Sequence, residues 1–226
     1  MDEEAKEHLA EATLLCEELA HSLPTLIPAA GLSLASKLPF KATSIRELLI
    51  YRMSDLASSA TQHLENHSVV PGAILTRAAV ETVAVLFCLN QAIEQFLESH
   101  DIDRINSFLM SSLVGSRWED HPVQSINILT LIDKVTKTIP AFRSSYDNLS
   151  EYAHPNWSGL LGSYGSIDRE NHELHLGIRD TSIGLSTSLF VLTATLHTFR
   201  HYYNLSAATL DRFNQWFDEQ GAEGGI

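Results

Sequence analysis

The polar and aromatic side chains best suited to chemistry are concentrated in residues 146–157, which read YDNLSEYAHPNW. This set consists of Tyr146, Asn148, Glu151, Tyr152, His154, Asn156 and Trp157. His154 is the natural candidate for proton transfer, because the pKa of free histidine lies near neutrality. It also stands just before Pro155, which ends a helix, and the helix dipole favours an imidazolium there without any catalytic role. The segment therefore predicts either a catalytic histidine or a structural one at a helix end.

Arg77 and Glu81 are the only charged residues between Val69 and Leu89, in a run that is otherwise almost entirely apolar. Their spacing of four residues places both on one face of a helix. A buried charge without a partner is costly, so each of them needs a neighbour, which we expect to come from 146–156. The resulting network is either a structural salt bridge between two central helices or the wall of a polar pocket in the bundle.

For a metal centre the sequence offers only two weak candidates, His197 and His201, which have the i, i+4 spacing of helical ligands. Thr198 follows the first histidine where a zinc-protease motif has glutamate, and no third ligand is evident. The glycine-rich stretch 159–165 lacks the Lys-Ser/Thr of a phosphate-binding loop. We therefore predict no metal and no cofactor.

These residues must be positioned by helices, because apolar residues recur with helical spacing along most of the chain. The predicted helices cover 3–22, 44–67, 71–99, 101–114, 122–139, 141–153, about 182–203 and 206–220. Ser44 with Glu47 forms a capping-box pattern at the start of the second helix. Asp180, Thr181 or Ser182 is expected to cap the long helix that follows, and Ser206 the last one.

Between Leu160 and Ile178 the periodicity changes to that of a strand. Residues 173–178 alternate between polar and apolar after a turn-like cluster at 168–171, which predicts a β-hairpin with strands near 161–167 and 172–178. The predicted fold class is all-α, a bundle of seven or eight helices with one β-hairpin insertion near 161–178. We expect a single helical domain over 1–226, with an N-terminal helix and irregular connection in 1–43 and the main bundle in 44–220.

Composition limits the partners. The 226 residues contain 15 Lys and Arg against 28 Asp and Glu, a net charge of −13 that repels phosphate backbones. The charge therefore argues against a general DNA- or RNA-coating role, and RNA could bind only in a local pocket. Cys16 and Cys88 lie in apolar patterns and are predicted to be buried thiols. The N-terminus lacks the features of an export signal, and the apolar runs 69–89 and 181–199 carry polar residues, so we expect a cytoplasmic protein with no membrane partner.

Two patterns together resemble bacterial helical proteins of the HEPN (higher eukaryotes and prokaryotes nucleotide-binding) superfamily. They are Arg77-Ala-Ala-Val-Glu81 on an apolar helix and a later Tyr146-x-x-Leu-Ser-Glu-Tyr-Ala-His-Pro-Asn156, and the resemblance covers about 44–203. It implies a helical bundle, often dimeric, and for many members ribonuclease activity in toxin or defence systems. The nuclease signature of the family is an arginine shortly before a histidine. His154 matches the histidine, but Asn148 stands where the arginine is expected, so Arg77 would have to supply the guanidinium.

Three functions follow from these observations. The first is a HEPN-like binding or regulatory module with a polar pocket formed by Glu81 and the residues of 146–157. The second is a metal-independent ribonuclease in which His154 transfers the proton of the 2′-hydroxyl or the leaving group and Arg77 stabilises the phosphate. The third is a purely structural homo-oligomer. A homodimer is expected, and a further protein partner is compatible with the first function.

Overall fold

The computed structural model describes residues 1–179 and 182–222 of the chain. The fold is all-α and 74% helical, with eight α-helices and one two-stranded antiparallel hairpin in the described residues, so the predicted fold class is confirmed. The helices are α1 (Glu3–His21), α2 (Leu38–Glu65), α3 (Val69–Ser99), α4 (Ile102–Leu113), α5 (Ile128–Thr136), α6 (Ala141–Ala153), α7 (Gly162–Tyr164) and α8 (Ser182–Ala222). The hairpin strands are β1 (Gly165–Asp168) and β2 (Glu173–Leu176). A 3₁₀ turn at Ala29–Gly31 and a π-helical turn at Trp157–Leu161 complete the secondary structure described here.

The chain divides into two compact units, each with its own core. The first unit comprises Met1–His21, Arg52–Glu81 and Ile139–His197. The second unit comprises Ser22–Tyr51, Thr82–Thr138 and Thr198–Ile226. Helices α2, α3 and α8 contribute residues to both units. A single domain over 1–226 stays a prediction.

In the first unit, small residues let the helices approach closely. Ala5 and Ala12 of α1 are buried, as are Ala57 and Ala73 of α2 and α3. Gly72 shows the reason for such residues, because a Cβ at this position would lie 2.5 Å from Leu64 Cδ2. The apolar side of α6 packs into this core through side chains at helical spacing, namely Phe142, Tyr146 and Leu149. The core of the first unit thus fixes the position of the segment that carries the candidate site.

The core of the second unit is built around an aromatic cluster. The ring centroid of Phe96 lies 5.1 Å from that of Phe213, 4.9 Å from that of Trp216 and 5.5 Å from that of Phe217. Aromatic pairs at these distances contribute beyond the area that they bury. Cys88 is buried in the same unit, and its burial raises the pKa of the thiol to about 11. Cys16 is likewise a buried free thiol, as predicted, in the first unit.

The predicted start of the second helix is wrong. Helix α2 begins at Leu38, so Ser44 lies inside it, and the Ser44 Oγ donates to the Phe40 carbonyl oxygen at 2.7 Å. A serine that bonds back to the carbonyl four residues earlier satisfies its hydroxyl without ending the helix. Glu47 therefore does not form a capping box with Ser44.

The predictions for the fifth and last helices also need correction. Helix α5 spans only Ile128–Thr136, because Asn127 caps it by accepting from the Leu129 backbone N–H at 3.0 Å. The expected break between 203 and 206 is absent, and α8 runs without interruption from Ser182 to Ala222. Ser206 is buried within α8, where its hydroxyl donates to the Tyr203 carbonyl oxygen at 2.6 Å. The proposed caps Asp180 and Thr181 lie outside the described residues.

The hairpin is confirmed, but its first strand is shorter than predicted. Residues 161–164 are helical, since Trp157–Leu161 forms the π-helical turn and α7 follows it directly. Asn156 starts this turn, and its Oδ1 accepts from the backbone N–H groups of Ser158 at 3.1 Å and Gly159 at 3.2 Å. A Cβ at Gly159 would lie 2.1 Å from the His154 carbonyl oxygen. Glycine is thus required where the chain folds back on the end of α6.

Among the residues that the structure describes, two helices are long and apolar enough to cross a membrane by length and composition, Val69–Ser99 and Ser182–Ala222. In each of them more than half of the most apolar window is buried inside the fold, 67% and 56% respectively. Core helices pass the same test, so this finding is weak evidence for a membrane span.

Candidate functional site

The first unit brings Arg77, Glu81 and Tyr146 together, and we call them the first triad. The Tyr146 hydroxyl accepts from Arg77 Nη2 at 2.5 Å and donates to Glu81 Oε1 at 3.0 Å. Arg77 and Glu81 also form an ion pair, with 3.6 Å between Nη2 and Oε1. The guanidinium lies over the tyrosine ring, with Cζ 4.7 Å from its centroid. The partner of the isolated charges on α3 is thus a side chain of α6, in the segment from which it was expected.

The charges of Arg77 and Glu81 in the first triad neutralise each other, and the triad is not arranged for proton transfer. Burial raises the pKa of the Tyr146 hydroxyl, with an opposing effect from Arg77, so the phenol stays neutral near pH 7. Its one proton is donated to Glu81. The Arg77 and Glu81 side chains remain 28% and 26% exposed, and Arg77 Nε is buried without a hydrogen-bond partner. The arrangement can lock α6 against α3 and leaves the buried Nε–H of Arg77 without an acceptor.

His154 does not join the first triad. It ends α6 with an extended backbone and an exposed side chain, and its imidazole makes no hydrogen bond or ion pair with any residue that the structure describes. Asn148 is exposed as well. Glu151 and Asn156 instead bond to each other, with 2.6 Å from Asn156 Nδ2 to Glu151 Oε2. Of the predicted pocket residues, Glu81 and Tyr146 therefore lie in the first triad, and Glu151 and Asn156 form a separate hydrogen bond at the end of α6.

The two remaining aromatic candidates differ in exposure. Tyr152 is half-buried, and its burial raises the pKa of the hydroxyl. Trp157 is 71% exposed, and its ring covers Gly162, where a Cβ would lie 3.2 Å from the indole. Tyr152 is thus partly covered by the fold, whereas Trp157 presents most of its indole to solvent.

The weak metal candidates have other contacts. His197 Nε2 lies 2.7 Å from Glu11 Oε1 in the first unit. His201 packs edge-on against Tyr202 in the second unit, with 5.0 Å between ring centroids. Among the described residues, no group of three or more His, Cys, Asp and Glu side chains could hold a metal ion.

A second triad, which sequence reasoning missed, lies in the second unit and consists of Arg46, Glu47 and Tyr203. Arg46 Nη1 pairs with Glu47, and the Tyr203 hydroxyl donates to Glu47 Oε2 at 2.6 Å. Arg46 Nε donates to the Ser206 hydroxyl at 2.7 Å, and Nη2 donates to the Tyr203 carbonyl oxygen at 3.2 Å. Burial, reinforced by Glu47, raises the pKa of Tyr203 strongly. The available signal was an Arg-Glu pair inside the apolar run from Ile45 to Ile50, but the capping-box interpretation of Glu47 hid it.

The hairpin presents an exposed apolar row. Ile167 pairs with Leu174 and Gly165 with Leu176, so these side chains share one face of the two-stranded sheet. Ile178 follows two residues after Leu176. On this face Ile167, Leu174 and Leu176 are 58%, 54% and 81% exposed, and Ile178, just past the end of β2, is 78% exposed. We call these four residues together the hairpin apolar face. The sequence alternation had predicted one apolar side for this hairpin, which normally packs on a core, but here it faces solvent.

The base of the hairpin is firmly anchored within the first unit. The Gly177 backbone N–H donates to the Tyr164 carbonyl oxygen at 3.0 Å, and that of Arg179 donates to the Ser163 carbonyl oxygen at 2.9 Å. The Arg179 side chain adds a bond from Nη1 to the Gly165 carbonyl oxygen at 3.1 Å. The apolar face is therefore held on an ordered base.

Comparison with known proteins adds no relative. The chain matches no family model, no curated protein and no solved structure.

Proposed function

We propose that the chain is a helical binding module without a reaction of its own, and that it associates with a second copy through the hairpin apolar face. The observation that carries this proposal is the solvent exposure of four large aliphatic side chains on one hairpin. Contiguous exposed apolar residues of this kind mark association surfaces. A two-stranded hairpin is also marginal by itself in water, so a partner that covers it stabilises the hairpin as well.

The size of this face suits a weak dimer. Fully burying one Leu or Ile side chain contributes about 1.5–3 kcal/mol, so covering the exposed parts of these four contributes about 4–8 kcal/mol per protomer. Association costs about 4–15 kcal/mol in lost freedom and ordering. The two contributions from a symmetric pair can exceed that cost by enough for a dissociation constant in about the micromolar range.

A second copy fits this face better than a partner of other chemistry. An apolar face is complementary to itself, and the two-fold contact of a homodimer requires just such a surface. The opposite face of the hairpin carries Ser166, Asp168, Glu173 and His175, which would stay in water. Both outer edges of the two-stranded sheet also offer backbone groups for pairing with another strand.

Salt dependence distinguishes a second copy from a basic partner. Each chain carries a net charge of −13, so two copies repel each other, and added salt screens that repulsion. Self-association through an apolar face should therefore tighten as salt rises. Binding to a basic protein would weaken under the same change.

Sedimentation equilibrium over a range of concentrations tests the proposal. Leu176→Glu places a charge on the apolar face, and Ser166→Glu places the same charge on the opposite face as a matched control. We expect the wild-type chain and Ser166→Glu to dimerise and Leu176→Glu to be monomeric. The proposal fails if the wild type is monomeric at about 0.1 mM, where a contact of this size should be populated, or if Leu176→Glu dimerises like the wild type.

The nuclease alternative has less support. The proposed phosphate contact, Arg77, is already bonded to Tyr146 and paired with Glu81. The proposed proton-transfer group, His154, contacts neither Tyr146 nor Glu81. A direct cleavage assay on single-stranded RNA decides between the two.

A further inference from the structure

A groove in the second unit combines an apolar wall with a row of acceptor groups. Its volume is about 340 Å³, within the range of small-molecule sites. Its lining includes Phe87, Asn90, Glu94, Glu98, Tyr202 and Leu205. The charged residues of the lining are Glu94, which pairs with Arg212, and Glu98, so the unpaired charge at the groove is negative and favours a cation.

Asn90 leaves an acceptor unused at this groove. The residue is only 5% exposed, and its Nδ2 donates to the Leu86 carbonyl oxygen at 3.0 Å and to the Tyr202 carbonyl oxygen at 3.3 Å. Carbonyl oxygens cannot donate, so these two contacts fix which end of the amide is nitrogen. Asn90 Oδ1 is buried and has no hydrogen-bond partner. Oδ1 has almost no solvent-accessible surface in this structure, so a ligand in the groove can supply the missing donor only when the Asn90 side chain turns to expose it.

The three acceptors form a ladder along α3. Asn90, Glu94 and Glu98 are spaced by four residues, so successive side chains lie on one face about 6 Å apart along the helix axis. Glu94 Oε1 already accepts from Thr209 at 3.2 Å and pairs with Arg212. Glu98 is exposed, and its carboxylate has no ion-pair partner among the described residues. The ladder thus consists of a neutral acceptor at the buried end, Asn90, and a negative charge at the exposed end, Glu98.

The apolar wall opposite the ladder suits a methylene chain. Phe87 and Tyr202 meet edge-on with 5.0 Å between ring centroids, and Leu205 continues the wall. Aromatic faces also attract cations. A flexible chain with cationic nitrogens at regular intervals can bury its methylenes on this wall and donate to the ladder.

From this geometry we infer that the groove binds a linear polyamine. In an extended four-carbon diamine, the two nitrogens lie about as far apart as successive residues of the ladder. One ammonium donates to Asn90 Oδ1, the next lies by Glu94, and a third nitrogen reaches Glu98. The negative surface of the chain raises the local concentration of such polycations. This inference does not depend on dimerisation, because all of its residues lie in the second unit.

Isothermal titration calorimetry with spermidine, 1,4-diaminobutane and 1-aminobutane tests the inference. We expect spermidine to bind more tightly than the diamine, and the monoamine to show the weakest binding. Glu98→Gln should weaken spermidine binding about fivefold, as for loss of one exposed charge contact. Glu65→Gln removes the same charge from an exposed helix position outside the groove, and it should change the dissociation constant less than about twofold.

Two outcomes would overturn the inference. One is equal weakening by Glu98→Gln and Glu65→Gln, which would show that spermidine only collects at an acidic surface. The other is equal affinity for 1,4-diaminobutane and 1-aminobutane, which would show that the ladder does not read the spacing of nitrogens. Glu98 is exposed, so its variant should fold normally, and circular dichroism checks this directly.

Discussion

The two triads contain the same three residue types, but they differ in the distances between their groups and in their exposure to solvent. In the first, the tyrosine hydroxyl lies 3.0 Å from the glutamate and the guanidinium 4.7 Å from the ring centroid. In the second, the corresponding distances are 2.6 Å and 3.6 Å. The charged side chains are 28% and 26% exposed in the first triad but only 15% and 12% exposed in the second. The second triad thus has shorter contacts and less solvent exposure than the first.

Hydrogen-bond satisfaction separates the triads further. Arg46 places Nε on Ser206, whereas Arg77 Nε is buried without a partner. Polar networks stabilise most when every member is satisfied, because an unpaired buried group carries its full desolvation cost. We therefore infer that the second triad is the stronger structural lock. The first triad holds α6 less tightly, despite being the more conspicuous in sequence.

The largest expected effect is loss of the arginine from the second triad. Arg46→Ala strands the Glu47 carboxylate in a site that is almost dry and should cost about 3–5 kcal/mol of unfolding free energy. Arg77→Ala should cost less, about 2 kcal/mol, because Glu81 keeps the Tyr146 hydroxyl and more water. Urea denaturation followed by circular dichroism measures both.

Arg143→Ala is the matched control for these variants. Arg143 pairs with Asp147 at the same i, i+4 spacing as the first triad, but its side chain is 39% exposed and that of Asp147 is 54% exposed. An exposed pair should contribute about 0.3–0.5 kcal/mol. If Arg46→Ala costs no more than Arg143→Ala, the second triad is not a lock.

A smaller effect should come from the tyrosine hydroxyls. Tyr203→Phe removes a hydrogen bond to a buried carboxylate and should cost about 1.5–3 kcal/mol, and Tyr146→Phe about 1 kcal/mol. Both changes keep the ring and its contact with the guanidinium, so they isolate the hydroxyl. Equal costs for the two variants would contradict the difference in tightness between the triads.

The raised pKa of Tyr203 predicts how the free energy of unfolding changes with pH, with a definite sign. Burial raises the pKa of Tyr203 above its ordinary value, so the folded state favours the neutral hydroxyl. This stabilisation is complete below about pH 10, the pKa of an unfolded tyrosine, and is lost as pH rises toward the folded-state pKa. Wild-type stability should then fall by up to about 1.4 kcal/mol per pH unit from this group. Tyr203→Phe should show a shallower fall in urea midpoint above pH 10, and an unchanged slope would contradict the assignment.

The sequence predicted the elements better than their ends, and one triad better than the other. Arg77 and Glu81 stand alone in an apolar run, so their need for a partner was visible, and Tyr146 lay in the segment named for it. Arg46 and Glu47 are neighbours in sequence, and their partner Tyr203 lies more than 150 residues away on α8. Such a contact depends on tertiary packing, and the plausible cap at Ser44 gave Glu47 a local explanation. The exposed hairpin face could not be foreseen either, because alternation shows that one side is apolar but not what covers it.

The smallest expected effect concerns His154, which neither triad includes. Its imidazole is exposed at the end of α6, so His154→Ala should change the unfolding free energy by less than about 0.5 kcal/mol.

The wild-type chain should leave single-stranded RNA intact, with or without a metal chelator, because the structure gives His154 no contact with Arg77. Incubation with labelled RNA, followed by gel electrophoresis, measures this. Cleavage that persists in chelator and disappears in His154→Ala would instead establish the histidine as the proton-transfer group. In that case Arg77, whose buried Nε–H has no acceptor, would be the candidate phosphate contact. Arg77→Lys would then be the variant to test next.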